Sequence, residues 1–231
     1  MTSSYLRWLF IAITTILLAI PTFAISIVSP RFANMTTVKL WGKLIILACG
    51  VKLTISGLEN IKNQPTIVMY NHKSFFDIFA FCSFMRYDWR AMMKKELRKI
   101  PVFGQVSKAM GHYFVARDGS FEDRREVVRV LKEIRNGKIV FIAPEGTRNP
   151  NPGLIDFKNG GFYIARKTKI NIVPMIIQGA GEIIEKNSMV IKPGTINIKI
   201  LPEINVENYG EDRGSLASLK DDVYKIFLEN I

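Results

Sequence analysis

The hydrophobic and polar positions of this chain fall into two textures that change near Gly57. From Trp8 to Val28 no residue is charged, and as a helix this run reaches roughly 30 Å, the thickness of a bilayer's hydrocarbon core. A secretory signal has a shorter apolar core and a small-residue cleavage site, which Ser26 to Pro30 offers only weakly, so the pattern predicts a retained membrane segment. Pro21 kinks that helix or ends its regular part. After the turn signal Ser29-Pro30 a second apolar segment, Leu40 to Leu53, follows Lys39 and contains Lys43 and Lys52. Lysines are costly at a bilayer centre but comfortable at its interface, where their stems snorkel. Arg7, Arg31, Lys39, Lys43 and Lys52 place positive charge at both ends and in the turn, so loop charge selects no orientation. The pattern therefore predicts a re-entrant or interfacial helical hairpin over residues 5–53, within an N-terminal membrane-associated unit of residues 1–56.

Beyond Gly57 the texture is that of an α/β domain, residues 57–231. Strand-like runs occur at 65–70, 89–93, 113–116, 138–143, 170–178 and 195–201. Residues 76–85 read as an apolar helix. A clearer one spans 121–136, with Ser120 and Asp123 as a capping signal, Val127, Val130, Leu131 and Ile134 on one face, and Asn136-Gly137 as a stop. Another spans 215–230, with Ser215 as the cap. Strands separated by helices predict a mixed, largely parallel sheet flanked by helices, preceded by the apolar hairpin. Residues 188–192 and 195–201, around Pro193-Gly194, predict an antiparallel hairpin at the sheet's edge.

At 231 residues the chain holds one α/β domain with a sizeable core. Its net charge of +12 implies attraction to a polyanion, which nucleic acid, an anionic membrane or a phosphorylated substrate could each supply. The two cysteines, Cys49 and Cys82, lie in apolar runs without metal or redox spacing, so both read as buried reduced thiols and a cytoplasm-facing domain is natural.

Four stretches carry candidate chemistry. In Tyr70-Asn-His-Lys-Ser-Phe-Phe-Asp77, His72 lies between a predicted strand and a predicted helix, where α/β folds place reactive groups. Histidine exchanges protons near neutral pH, and Asp77 could orient its ring as in a serine hydrolase triad. The His-x-x-x-x-Asp spacing alone arises by chance in roughly one chain in ten. Residues 94–117 are rich in cations, among them Lys94, Lys95, Arg98, Lys99, Lys108 and Arg117, as a solvated basic face or a nucleic-acid surface would also be. Ala143-Pro-Glu-Gly-Thr-Arg148 leaves an apolar strand, and there Gly146 admits a ligand to the backbone while Arg148 can grip phosphate. Phe157-Lys-Asn-Gly-Gly161 opens a further helix near the same end.

Taken together, Asn71-His72-x-Ser74-x-x-Asp77, Lys94-x-Glu96-Leu97, Pro101-x-Phe103-Gly104, Gly111 to Arg117, Pro144 to Arg148 and Val173-Pro174 resemble the glycerolipid acyltransferases, among them the 1-acyl-glycerol-3-phosphate acyltransferases. The blocks stand in family order over residues 71–174. Ala143 and Ala116 depart from the residues common at their positions, and neither carries a chemical role.

The resemblance implies transfer of a fatty acyl group from a thioester to a free hydroxyl, with no metal or resident cofactor. Acyl-CoA or acyl carrier protein would be the donor and 1-acyl-glycerol-3-phosphate the acceptor, giving phosphatidic acid for phospholipid synthesis. His72 would be the general base and Asp77 its orienting partner. Lys94, Arg148 and Arg117 would bind the acceptor phosphate, with Glu145 and Gly146 shaping the same site. Asn71, Ser74 and Thr147 would support it, and His112 would be structural or at the surface. The enzyme would sit on an inner or plasma membrane, its domain facing the cytoplasm, among phospholipid and lysophospholipid, with no nucleic-acid partner. The rivals are an acyltransferase for another acceptor, glycerol-3-phosphate or a lyso-aminolipid, and a non-catalytic, basic, membrane-anchored lipid-binding protein.

Overall fold

The computed structural model describes residues 2–116, 121–210 and 212–231. Seven strands form one sheet: β1 (Val51–Ser56), β2 (Thr66–Tyr70), β3 (Trp89–Lys94), β4 (Tyr113–Val115), β5 (Ile139–Ile142), β6 (Ile172–Gln178) and β7 (Gly194–Ile200). Their spatial order is β1-β7-β6-β2-β5-β3-β4. The β6–β7 pair is antiparallel and the other pairs are parallel. The sheet is thus mixed and largely parallel, as the alternation of strands and helices predicts.

Strand alternation divides the interior into two cores. Ile67 and Met69 of β2 and Val140 and Ile142 of β5 point to one side, where α6 (Phe121–Ile134), α7 (Asn159–Thr168) and α9 (Arg213–Leu228) cover them. Val68 and Tyr70, with Ile139 and Phe141, point to the other. That side is covered by α1 (Thr2–Val28), α2 (Pro30–Ala33), α3 (Lys39–Ala48) and α4 (Phe76–Phe84). The short helix α5 (Phe103–Ala109) packs against α1, and α8 (Ala180–Ile183) against α4 and β7. Helix α4 lies between the sheet and α3 and is apolar all round for that reason. Gly42 permits the close α3–α4 contact, because a Cβ there would stand 2.7 Å from Phe79 O and 2.8 Å from Ser83 N.

The predicted apolar hairpin forms, and its arms run antiparallel. Trp41 Nε1 donates to Thr15 Oγ1 at 2.9 Å, and Thr22 Oγ1 to Thr37 Oγ1 at 2.8 Å. Both ends are tied to the domain. Arg7 donates to Ile191 O at 2.6 Å and Trp8 Nε1 to Met189 O at 2.8 Å. At the turn, buried Asn34 donates to Trp89 O at 2.9 Å.

Three expectations are corrected. The second arm ends at Ala48 rather than Leu53, because Val51 to Ser56 form β1, paired with β7. Their strict apolar–polar alternation is a strand signal that the surrounding hydrophobicity masks. Residues 188–192 form no strand: the side chains of Ser4, Arg7 and Trp8 bond their backbone, and β7 pairs with β6 and β1 instead. The cap of α9 is Asp212, which accepts from Ser215 N at 2.8 Å, rather than Ser215 itself. Ser120, read as the cap of α6, lies outside the described residues.

Candidate active site

β2 and β5 are parallel neighbours with Met69 opposite Ile142, so the loops that leave them emerge side by side at the C-terminal edge of the sheet. This is the edge where open α/β sheets bind ligands. The first loop begins with Asn71, whose amide donates to Ile177 O and accepts from Ile177 N, each at 2.7 Å. Asn71 thus extends the β2–β6 pairing by one side chain and fixes where His72 begins. The backbone of His72 is held from both sides. Its N–H donates to Glu145 Oε1 at 3.1 Å, and its carbonyl accepts from Asn149 N at 2.9 Å.

Asp77 lies in the first turn of α4 and is fully buried. Its Oδ2 is 2.8 Å from His72 Nδ1 and accepts from Lys73 N and Ser74 N, both at 2.9 Å. A carboxylate only accepts, so this contact calls for a proton on Nδ1; in the neutral ring the Nε2 lone pair is then free. The side chain of His72 keeps 17% exposure while Asp77 keeps none. The arrangement is one that can serve as a base, with one open nitrogen and a buried orienting partner. Tyr70 packs edge-on to the ring at 5.8 Å. Ser74 donates its hydroxyl to Ile184 O at 3.2 Å and accepts from Phe76 N, a local bonding role that turns it away from a nucleophile's position.

His72 opens into a cavity of about 520 Å³ on the α1–α4 face of the sheet. Lys94, Gly146, Thr147 and Arg148 line the same cavity. The Arg148 guanidinium lies 3.9 Å from the Phe75 ring centroid, a cation–π contact that holds it at the mouth. Gly146 has φ +72, the left-handed geometry that its turn back to Ala143 requires. Of the two adjacent lysines, Lys94 lines the cavity, beside Glu96 at 3.5 Å. The walls also include Ile78, Phe81 and Trp89, and Thr15, Leu18 and Ala19 of α1. Among the described residues no cluster of His, Cys, Asp or Glu could hold a metal ion.

Glu145, expected to shape the phosphate site, faces elsewhere. It is completely buried, and its second oxygen accepts from Ile155 N at 3.3 Å. Its carboxylate ties the two loops together and brings no charge to the cavity. Arg117 lies outside the described residues. Lys73 donates to Asn151 O and Gly153 O. Burial lowers its pKa, partly countered by the Glu145 and Asp77 carboxylates. His112 is buried, stacked on Trp89 at 5.1 Å, and its Nδ1 accepts from Ala91 N at 3.1 Å. Burial, with Arg90 and Arg129 nearby, lowers its pKa to about 3, so the ring is neutral at physiological pH. Sequence reasoning passed over two contributors to the cavity. Thr15, Leu18, Ala19 and Thr22 recur at i, i+3, i+4 and i+7, a readable helix face. Lys186 stands in an ordinary polar turn with no such signal.

Comparison with known proteins bears on this geometry. A family model described as Acyltransferase matches residues 52–178. A 1-acyl-sn-glycerol-3-phosphate acyltransferase from Cocos nucifera is 31% identical over 175 residues, covering 74% of this chain and 56% of the relative. Another from Saccharomyces cerevisiae is 28% identical, covering 79% and 61%. A third from Borreliella burgdorferi is 29% identical, covering 79% and 74%. The chain thus spans less than two thirds of the coconut and yeast proteins. Among solved structures, the 1-acyl-sn-glycerophosphate (LPA) acyltransferase PlsC from Thermotoga maritima shares the fold, with a TM-score of 0.72 at 24% identity, covering 95% of this chain and 96% of that one.

Proposed function

The chain belongs to the acyltransferase family, and from that premise we propose that it transfers a fatty acyl group from acyl-CoA or acyl carrier protein to the free hydroxyl of 1-acyl-glycerol-3-phosphate, making phosphatidic acid. The observation that carries this reading is the buried Asp77 carboxylate 2.8 Å from His72 Nδ1, at the mouth of a largely apolar cavity ringed by Lys94 and Arg148. An alcohol attacks a thioester slowly until its proton is removed. In the proposed step His72 Nε2 takes that proton as the hydroxyl oxygen bonds to the thioester carbon. Asp77 stabilises the resulting imidazolium. The tetrahedral intermediate then collapses, the C–S bond breaks, and the departing thiolate takes the proton from His72. No enzyme nucleophile is needed, because the acceptor supplies it.

Arg148 and Lys94 are assigned to the acceptor's phosphate, with Gly146 and Thr147 shaping the turn that carries Arg148. Glu145 and Asn71 act through the backbone of His72. The names of the coconut, yeast and Borreliella relatives support this acceptor over glycerol-3-phosphate or a lyso-aminolipid. Assay of the purified full chain against those acceptors with an acyl thioester tests the reading, and turnover confined to acceptors other than lysophosphatidic acid would sink it. Arg148→Ala is expected to raise KM for the phosphorylated acceptor by about 10- to 100-fold, the effect of one charged hydrogen bond, and an unchanged KM removes it from the site.

The hairpin is assigned to one leaflet rather than to a bilayer crossing. α1 is long and apolar enough to cross, but its first turns bond residues 189–191 and the hairpin's tip bonds Trp89. Leu6, Leu9, Leu17, Ile20 and Ile27 remain exposed. A helix fastened at both ends to a water-soluble domain offers that apolar face to the bilayer surface, with lipid drawn from the side.

A further inference from the structure

Resting on the acyl-transfer reading above, the geometry points to Lys186 as a further substrate-binding residue, a cation that grips the acceptor's phosphate together with Arg148. Lys186 lies in the loop from α8 to β7. Its turn is closed by Ser188 N donating to Glu185 O at 3.1 Å, with Asn187 in the left-handed region at φ +68. An isolated surface turn would leave such a lysine sweeping through solvent. Here the loop is anchored on each side. Ser74, next but one to His72, donates to Ile184 O, and Lys192 N donates to Ile183 O at 2.8 Å. Arg7 and Trp8 of α1 bond Ile191 and Met189. The loop is thus fixed to both the His72 turn and the membrane-facing hairpin.

From this loop Lys186 Nζ donates to the backbone carbonyl of Arg148 at 3.0 Å, and the side chain lines the cavity that His72 opens into. An ammonium has three donors, and this contact uses one. Some cations of the molecule have carboxylates: Lys192 pairs with Glu185 at 3.1 Å, Lys94 with Glu96 at 3.5 Å, and Arg90 with Asp88. Lys186 has no ion pair among the described residues. Asp77 and Glu145 are directed at His72 and the loop backbones. A half-buried ammonium without a counter-charge is poorly placed unless an anion completes its shell. A phosphate between the Arg148 guanidinium and Lys186 would accept from both, as a charge-assisted pair. Phosphate could reach this mouth on the acceptor or on a CoA donor; the assignment is to the acceptor.

The test is direct binding to the full-length protein in detergent, read from the intrinsic fluorescence of Trp41 and Trp89, which line the cavity. The probes are 1-acyl-glycerol-3-phosphate, the monoacylglycerol of the same chain length, and CoA. Lys186→Met is expected to weaken binding of the phosphorylated lipid by about 10- to 100-fold, leaving monoacylglycerol and CoA unchanged. Lys186→Arg should retain most of the affinity, and Lys186→Met should weaken it further in an Arg148→Ala background. Wild-type affinity in Lys186→Met overturns the assignment, as does parallel loss of monoacylglycerol. No added loss in the Arg148→Ala background would also overturn it, because Lys186 would then only prop the Arg148 loop. Failure of the wild type to acylate lysophosphatidic acid would defeat the functional reading, yet leave the binding result readable.

Discussion

The two faces of one sheet are finished in opposite ways. On the α6–α7–α9 face, Val130, Ile134, Phe162, Leu219, Val223 and Phe227 are wholly buried, a close-packed core of the ordinary soluble kind. On the α1–α4 face the packing is interrupted by the large cavity beneath His72, and its outer helix α1 leaves Leu17 at 65% and Ile20 at 73% exposure. The faces differ because the residues of each strand alternate between them. Tyr70, two residues before His72, points into the second core, whereas Met69 points into the first. Register therefore places the His72–Asp77 pair, and the chemistry proposed for it, on one face and leaves the other free to carry stability. The two histidines line the same cavity on the α1–α4 face but differ in burial: His72 keeps an open edge and a carboxylate, whereas His112 is buried against Trp89 and kept neutral.

If this division holds, substitutions on the two faces should separate activity from stability. The largest effect belongs to the His72 pair. His72→Ala and Asp77→Asn are expected to lower kcat by about 100- to 10,000-fold, with thermal unfolding showing a folded protein. Near wild-type turnover in either would remove the base from the mechanism. Next comes Phe227→Ala on the opposite face. It should reduce stability by about 3–5 kcal/mol in denaturant unfolding, while kcat per folded molecule stays unchanged. A comparable fall in kcat would show that the faces are coupled.

A smaller effect tests the outer surface of α1. Leu17→Asp with Ile20→Asp should cut flotation with anionic vesicles by at least about tenfold, since each side chain offers roughly 1.5–3 kcal/mol of apolar burial. Tm should barely move, because both side chains face away from the domain. The last is a pH effect, small near neutral pH. The folded-state pKa of His112, about 3, lies below the 6.5 of the free side chain. Its stabilising contribution is therefore complete above about pH 6.5 and lost as pH falls toward 3. The Tm of the wild type should consequently drop more steeply below pH 6.5 than that of His112→Gln, and parallel curves would show that burial does not perturb His112.

What could be read in the chain by itself were features whose partners lie close in sequence. His72 and Asp77 meet across five positions because the strand ends and α4 begins between them. The sheet's parallel character followed from alternating strand and helix patterns. The apolar hairpin followed from two apolar segments, the first free of charge, on either side of the Ser29-Pro30 turn signal. Cys49 and Cys82 are buried free thiols, as their apolar runs implied. The tertiary structure decided what depends on distant register. Glu145 looked like part of a phosphate loop, but pairing of β2 with β5 turns its carboxylate onto the backbone of His72. Lys186 comes to Arg148 because Ser74 on one side and Arg7 and Trp8 of α1 on the other hold its loop from two separate parts of the chain. Val51 to Ser56 join the sheet because β7 offers them a parallel edge. Local pattern reports a residue's own preference for helix, strand or turn, whereas a site built across neighbouring strands depends on contacts that no sequence window contains.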